Sequence, residues 1–392
     1  MNLAKLVDNV YFLSIFLMVC VFWAFLDLPY LVISTQLLFF SVAGLKFLLK
    51  KRIRRNCFPY IIWALIWLLY CLFTVNWSIN QGATISYVIS VFQVILVGIM
   101  LIVTVEEKKH VELLERIIII AGIVLVARLL IVTPSSEWGE ERLGLELGMH
   151  VNHIALNLLI SLMFTLKVAV DQKKKICWPL SLILTVALVM TASKKAIIIA
   201  ILVFLVVIPM GKKGTVQKVK YLLIMLVMLS IMIKLATEIP AIYELAIQRM
   251  EGFVSLLLGT GDVDKSTAIR EELLQTAWKV FLEHPVLGVG LNGFRFFNPE
   301  NAYAHSNFLE LLADCGIIGF IIYYSIYVII LKRFWMKYRS NPIYGMYMMI
   351  IFCIVALEAT QITYYLESVQ FVLATLFLLT KYGDSILTDK KI

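Results

Sequence analysis

His305 is the residue of this sequence best suited to move a proton, because small and polar neighbours (Ala304, Ser306, Asn307) flank it where a long polar loop meets an apolar stretch. An exposed imidazole at such a junction gains and loses a proton near neutral pH. The second chemistry is cationic. Arg142 lies in a shorter polar loop, Lys194 and Lys195 interrupt an apolar hairpin, and Arg249, Lys265, Arg270, Lys279 and Arg295 populate the loop that leads to His305. Several such charges on one side make an anion site, in which arginine grips a phosphate bidentately and lysine adds a movable point charge. Snorkelling to lipid phosphates is the competing reading of each, and the stronger one for Arg128 and Lys234, which lie inside apolar stretches.

Three other patterns carry less. Gly288-Val-Gly290-Leu-Asn-Gly293 matches G-x-G-x-x-G, but it follows a helical pattern instead of a strand, so a tight turn accounts for it better than a nucleotide does. Asp262-Val-Asp264 has a D-x-D spacing that can hold a metal and a nucleotide sugar, yet Gly259 and Gly261 make it equally a solvated turn. His150 and His153 share a helix face with Glu146 one turn earlier, but a fourth ligand is missing and an interfacial helix entry explains them. No metal or cofactor is therefore expected.

The elements that must position these residues are membrane helices. Of 392 residues, 61% are hydrophobic and only 16% charged. Apolar runs recur along the chain, near Val10–Leu26, Leu28–Leu49, Phe58–Val75, Ala83–Thr104, Ile117–Thr133, Asn152–Val170, Ile176–Ala192, Ala196–Met210, Tyr221–Thr237, Gly316–Leu331, Ile343–Thr360 and Ser368–Thr380. Most are of about 17 to 22 residues, long enough to cross a hydrocarbon layer of about 30 Å as a helix. The expected fold is thus all-α, a single polytopic domain over residues 1–392 with about twelve transmembrane helices. The first run follows Lys5 without a cleavage site and reads as an uncleaved anchor.

Basic clusters fall in alternate loops: Lys50-Lys51-Arg52, Lys108-Lys109, Lys173 to Lys175, Lys212-Lys213, Lys332-Arg333 and the Lys390-Lys391 tail. The positive-inside rule then puts both ends in the cytoplasm, and about 25 of the 35 basic residues lie on that side. Orientation explains the net charge of +9, and no nucleic-acid partner is needed. The lipid bilayer is the first partner. The longest outward segment, residues 238–315 between the ninth and tenth spans, is where chemistry is expected. Within it Thr267–Glu283 has the apolar spacing of an amphipathic helix, and a second helix is expected to start near His305 and run straight into the tenth span.

The segment His305-Ser-Asn307-Phe-Leu309-Glu-Leu-Leu312-Ala-Asp-Cys-Gly316-Ile-Ile-Gly319 resembles the signature of the O-antigen ligase/polymerase superfamily. Pro285-Val-Leu-Gly288-Val-Gly290 looks like that family's P-x-x-G-x-G, and Arg270 falls where it keeps an arginine. Arg142 followed by Asn152 resembles its outer Arg and Asn, and Ser193-Lys194-Lys195 its Ser-Arg turn, with lysine replacing arginine.

The resemblance implies a metal-independent, inverting membrane glycosyltransferase acting on undecaprenyl-diphosphate-linked glycans at the outer face of the bacterial cytoplasmic membrane. It implies His305 as the base, Arg142 and Arg270 on the lipid diphosphate with Lys194 and Lys195 assisting, and Asn152, Asn307 and Arg249 in support. Lysine at 194 cannot reproduce a bidentate contact, which leaves its role open. Polymerase and ligase differ in acceptor; polymerisation into a capsule or O-antigen-like polysaccharide is the preferred reading, with other polysaccharide-assembly proteins as partners. A transporter of lipid-linked glycan is the alternative from another class, and Glu358, Gln361 and Glu367 are the residues that would serve it.

Overall fold

A computed structural model describes residues 3–49, 53–134, 143–191, 193–210 and 265–382, with isolated positions between 219 and 234. Among these residues every regular element is helical. The helices are α1 (Leu3–Ala24), α2 (Pro29–Leu48), α3 (Phe58–Phe73), α4 (Gln81–Thr104), α5 (Lys108–Val132), α6 (Val151–Asp171), α7 (Cys177–Met190), α8 (Lys194–Met210), α9 (Lys265–Glu283), α10 (Asn307–Tyr338), α11 (Tyr344–Glu358) and α12 (Glu367–Tyr382). Six of them, α1 to α4, α6 and α10, are long and apolar enough to cross a membrane, and α7 and α11 are shorter apolar helices. The expected ninth span, Tyr221–Thr237, lies almost wholly outside the described residues.

The chain divides into two compact units. The first takes Met1–Val42, Glu112–Asp262 and Phe334–Cys353. Its centre is α6, whose apolar window is 94% buried under α7, α8 and α1. Close approach there needs small residues: a Cβ on Gly122 would sit 2.4 Å from that of Ser161, whose hydroxyl accepts the Trp23 indole N–H at 2.9 Å. Charges inside this unit are paired. Lys167 Nζ donates to Glu115 Oε2 at 2.9 Å, and the Tyr347 hydroxyl donates to Glu115 Oε1 at 2.7 Å. Arg128 does not snorkel; both carboxylate oxygens of Asp27 accept from its guanidinium at 2.6 Å, which also lies over the Phe25 ring and bonds the Ala24 carbonyl. Burying an unpaired arginine would cost several kcal/mol, so the fork-to-fork pair is what permits it there.

The second unit takes Ala43–Val111, Val263–Arg333 and Ile354–Ile392. Here α4 packs against α3 and α12, and Gly98 lets it close on Tyr60, whose hydroxyl lies where a Cβ would be. One expectation about this unit is corrected. The helix after His305 does not run straight into a span: α10 breaks at Gly316, where φ is 60° and ψ is −171°. That backbone is open essentially to glycine alone.

Candidate active site

The site is built on the loop between α9 and α10 of the second unit. Helix α9 buries Leu273, Ala277 and Val280 against Val289, Phe294, Ala304 and Ala313, while Trp278 and Leu282 on its other side are exposed. The sequence periodicity over Thr267–Glu283 located this helix, which runs over Lys265–Glu283.

After α9 the chain passes alongside the break in α10. Ile317 and Ile318 donate their N–H groups to the carbonyls of Pro285 (2.9 Å) and Val286 (3.4 Å), which α10 itself leaves unserved at the break. In the other direction Val289 and Gly290 donate to the carbonyls of Ala313 (3.0 Å) and Asp314 (2.8 Å). The two backbones touch: a Cβ on Gly288 would lie 2.4 Å from the Asp314 carbonyl, and one on Gly316 would lie 2.3 Å from the Val286 carbonyl oxygen. The glycines make the turn that the sequence suggests, with Gly293 N–H closing on the Gly290 carbonyl at 2.8 Å and positive φ at Gly288 and Gly290, and they also permit the close backbone packing.

Two acids one turn apart at the start of α10 then fix the rest of the loop. Asp314 is fully buried and accepts the N–H groups of Asn292 (2.6 Å) and Phe294 (2.7 Å), one on each oxygen. Glu310 Oε2 accepts the Ala304 N–H at 2.6 Å. Short bonds to a carboxylate are the strong class, so residues 292–304 are held by their ends to one helix face. Ser306 caps that helix, its hydroxyl accepting the Leu309 N–H at 3.4 Å.

His305 stands immediately before this cap. Its φ is 53°, a left-handed conformation in which histidine is enriched but which still costs free energy, and such strain gathers at functional sites. The imidazole is half-buried and packs on the Tyr303 ring, with centroids 4.3 Å apart. Arg270 on α9 is solvent-exposed, and its charge acts on Tyr303. Burial holds the Tyr303 hydroxyl above its usual pKa, Arg270 pulls it down, Glu310 pushes it up, and Arg295 again pulls it down. His305 thus packs on a tyrosine whose hydroxyl also lies within the electrostatic reach of Arg270.

Asn307 is fully buried, and it points away from such chemistry. Its Oδ1 accepts the N–H groups of Thr363 (2.9 Å) and Tyr364 (3.2 Å), and its Nδ2 donates to the Tyr324 hydroxyl at 2.9 Å. Tyr324 in turn donates to Glu358 Oε2 at 3.0 Å, while Tyr327 (2.7 Å) and Thr363 donate to Oε1. Asn307 positions the α10 N-terminus through this network, and Glu358 is enclosed by hydroxyl donors.

Asn152, Lys194 and Lys195 belong to the first unit. Arg142, Arg249, Asp262 and Asp264 lie outside the described residues. Leu143, next to Arg142 in sequence, donates its N–H to the Met190 carbonyl at 3.0 Å, at the end of α7. Ser193, three residues further on, donates to Asn152 Oδ1 at 3.4 Å, so Asn152 and the Ser193-Lys194-Lys195 turn meet. Helix α8 begins at Lys194, and Lys195 is exposed. His150 caps α6 by accepting the Asn152 N–H on Nδ1 at 3.3 Å, and Glu146 accepts the Thr133 hydroxyl at 2.9 Å. His150 Nδ1 and one Glu146 oxygen are thus engaged, while the buried Nε2 of His153 has no hydrogen-bond partner among the described residues.

Sequence reasoning left out Glu310 and Asp314 and counted Arg295 only as one of several cations of the loop. The i, i+4 spacing of the two acids just after the histidine was available as a signal. Compared with known proteins, residues 179–324 match the family described as O-antigen ligase, which supports the resemblance to the O-antigen ligase/polymerase superfamily. The match covers Lys194, Lys195, Arg270, His305 and Asn307 and stops short of Arg142 and Asn152. No curated protein matches the chain significantly.

Proposed function

We propose that this protein is a membrane polysaccharide polymerase that joins undecaprenyl-diphosphate-linked repeat units by inverting glycosyl transfer. The observation that carries the reading is His305, strained at the end of its loop and packed on Tyr303, inside the segment that matches the O-antigen ligase family. His305 takes the proton from a sugar hydroxyl of the acceptor. The freed oxygen attacks the anomeric carbon of the donor, the bond from that carbon to the diphosphate breaks, and undecaprenyl diphosphate leaves with the electron pair. Arg270 and Arg142 stabilise the diphosphate as its charge develops, with Lys194 and Lys195 in support. Asn152 orders the Lys194 turn through Ser193, and Asn307 orders the helix behind His305.

In this reading the chain crosses the bacterial cytoplasmic membrane about twelve times with both ends inside, and the loop of residues 238–315 faces outward. A ligase differs only in its acceptor, a lipid-A core or a protein. The enclosed setting of Glu358 favours an enzyme over a transporter, because a transport path needs its acid open to the substrate. The test is surface-glycan chain length in a deletion strain complemented with wild type, His305→Ala or Arg270→Ala, each verified in the membrane. Polymerisation requires long chains from wild type and single lipid-linked repeats from both variants. Full-length polymer from either expressed variant sinks its assignment, and transfer of single repeats to another acceptor by wild type identifies a ligase.

A further inference from the structure

Arg295 is anchored but not neutralised. Its Nη2 donates to the Tyr87 hydroxyl at 3.0 Å, and the guanidinium carbon lies 5.3 Å from the centre of that ring. Its Nε is buried and meets no acceptor among the described residues, and no carboxylate among them lies within ion-pair distance of the guanidinium. Of the acids whose charges it senses, Asp314 gives both oxygens to the backbone N–H groups of Asn292 and Phe294, and Glu310 gives Oε2 to that of Ala304. A half-buried guanidinium without an anion is electrostatically incomplete, and holding it on a tyrosine removes much of the entropy that binding an anion would otherwise cost.

Its surroundings suit a sugar. Tyr87 meets Tyr365 edge to face at 5.5 Å, and both rings are half-buried. Aromatic rings offer apolar faces to the C–H side of a pyranose. On the other side Arg295 acts on Tyr303, the same residue that carries His305 and senses Arg270. Arg270 and Arg295 thus both lie within electrostatic reach of Tyr303, the first exposed and the second held on Tyr87.

We propose that Arg295, held by Tyr87, recognises an anionic group on the substrate beside His305, namely an acidic substituent such as a uronate carboxylate or a phosphate on the sugar being joined. The proposal rests on the glycan-transfer reading and adds the substrate class: the repeat unit is acidic. The same anion chemistry is present in the diphosphate of the lipid carrier, so the test separates the two sources.

Full-length protein in detergent is titrated calorimetrically with a galacturonate tetrasaccharide, a neutral galactose tetrasaccharide and undecaprenyl diphosphate, using wild type, Arg295→Gln, Arg295→Lys and Tyr87→Phe. Each variant is first shown to melt like wild type; a variant that does not is replaced in the argument by the other two. Wild type should prefer the acidic to the neutral tetrasaccharide by about tenfold or more. That preference should vanish in Arg295→Gln and survive in part in Arg295→Lys and Tyr87→Phe, with undecaprenyl diphosphate bound equally by all. Weaker diphosphate binding by Arg295→Gln, with sugar preference intact, overturns the acidic-sugar assignment and gives Arg295 to the carrier. An unchanged Arg295→Gln, or a wild type without preference, overturns the proposal. Because the readout is binding, a chain that proves not to polymerise leaves this result standing on its own.

Discussion

Replacing Gly316 by alanine tests whether the break in α10 is what places His305. At φ 60° and ψ −171° the residue occupies a region essentially closed to L side chains, which costs about 1–3 kcal/mol. The added methyl would also lie 2.3 Å from the Val286 carbonyl oxygen and 2.7 Å from the Leu287 nitrogen. Overpacking of that kind costs about 1–3 kcal/mol, and here the neighbour is backbone and cannot swing aside. The expected total is about 2–6 kcal/mol, relieved only if residues 285–290 draw away and give up the bonds from Ile317 and Ile318. Detergent-purified Gly316→Ala should melt several degrees below wild type, and a strain carrying it should make shortened polysaccharide. Ile317→Ala keeps its backbone N–H and is the control for generic damage. A Gly316→Ala protein with wild-type melting and full-length polymer would refute the argument that glycine is required there.

Asn307→Ala strips the acceptor from the Thr363 and Tyr364 N–H groups, at about 1–3 kcal/mol each, whereas Tyr324→Phe takes one partner from Asn307 Nδ2 and one from Glu358, which keeps its Tyr327 and Thr363 donors, and should cost less, about 1–3 kcal/mol in total. Thermal melting of both variants checks the order, and a reversal would mean that Asn307 is not the hub. Asp27→Asn loses a bidentate pair with Arg128 and should cost about 1–3 kcal/mol at neutral pH. The hydrogen bond from Arg128 holds the Asp27 carboxyl below its usual pKa, so its contribution is complete above the unfolded value and is lost as pH falls through the lower folded one. Melting curves of wild type and Asp27→Asn should therefore converge on acidification below about pH 4, and a constant gap would contradict the linkage.

Much of the helical pattern was legible because a membrane span declares itself by composition: the runs near Ala83–Thr104 and Asn152–Val170 reappear as α4 and α6 almost unchanged. The amphipathic helix before His284 was legible from its period. What the sequence could not disclose is pairing at a distance. Glycines at 288, 290 and 316 announce backbone freedom, but nothing local says that residues 285–290 lie against the break at Gly316. Asn307 looked like a companion of His305 because it is two residues away, yet helix geometry turns it inward to Thr363 and Tyr364. Arg128 looked like a lipid anchor because its partner, Asp27, is 101 positions away. Arg295 was one cation among several until Tyr87 appeared beside it.

The acids that hold the His305 loop also bear on how the chain matures during synthesis. Asp314 reaches back 20 and 22 positions and Glu310 reaches back 6, so every one of these bonds can close once α10 has been made. Asn307 depends on residues 56 and 57 positions ahead, in the last part of the chain. Short closures precede long ones as a chain emerges from its N-terminus. The loop can therefore acquire its shape while still detached from its final support, and the arrival of the α11–α12 connection is the event that locks the start of α10 in place. A nascent protein halted after α10 would carry a formed loop and an Asn307 bonded to Tyr324 but still lacking the Thr363 and Tyr364 donors to its Oδ1, which makes completion of the last hairpin the step that fixes the loop on its support.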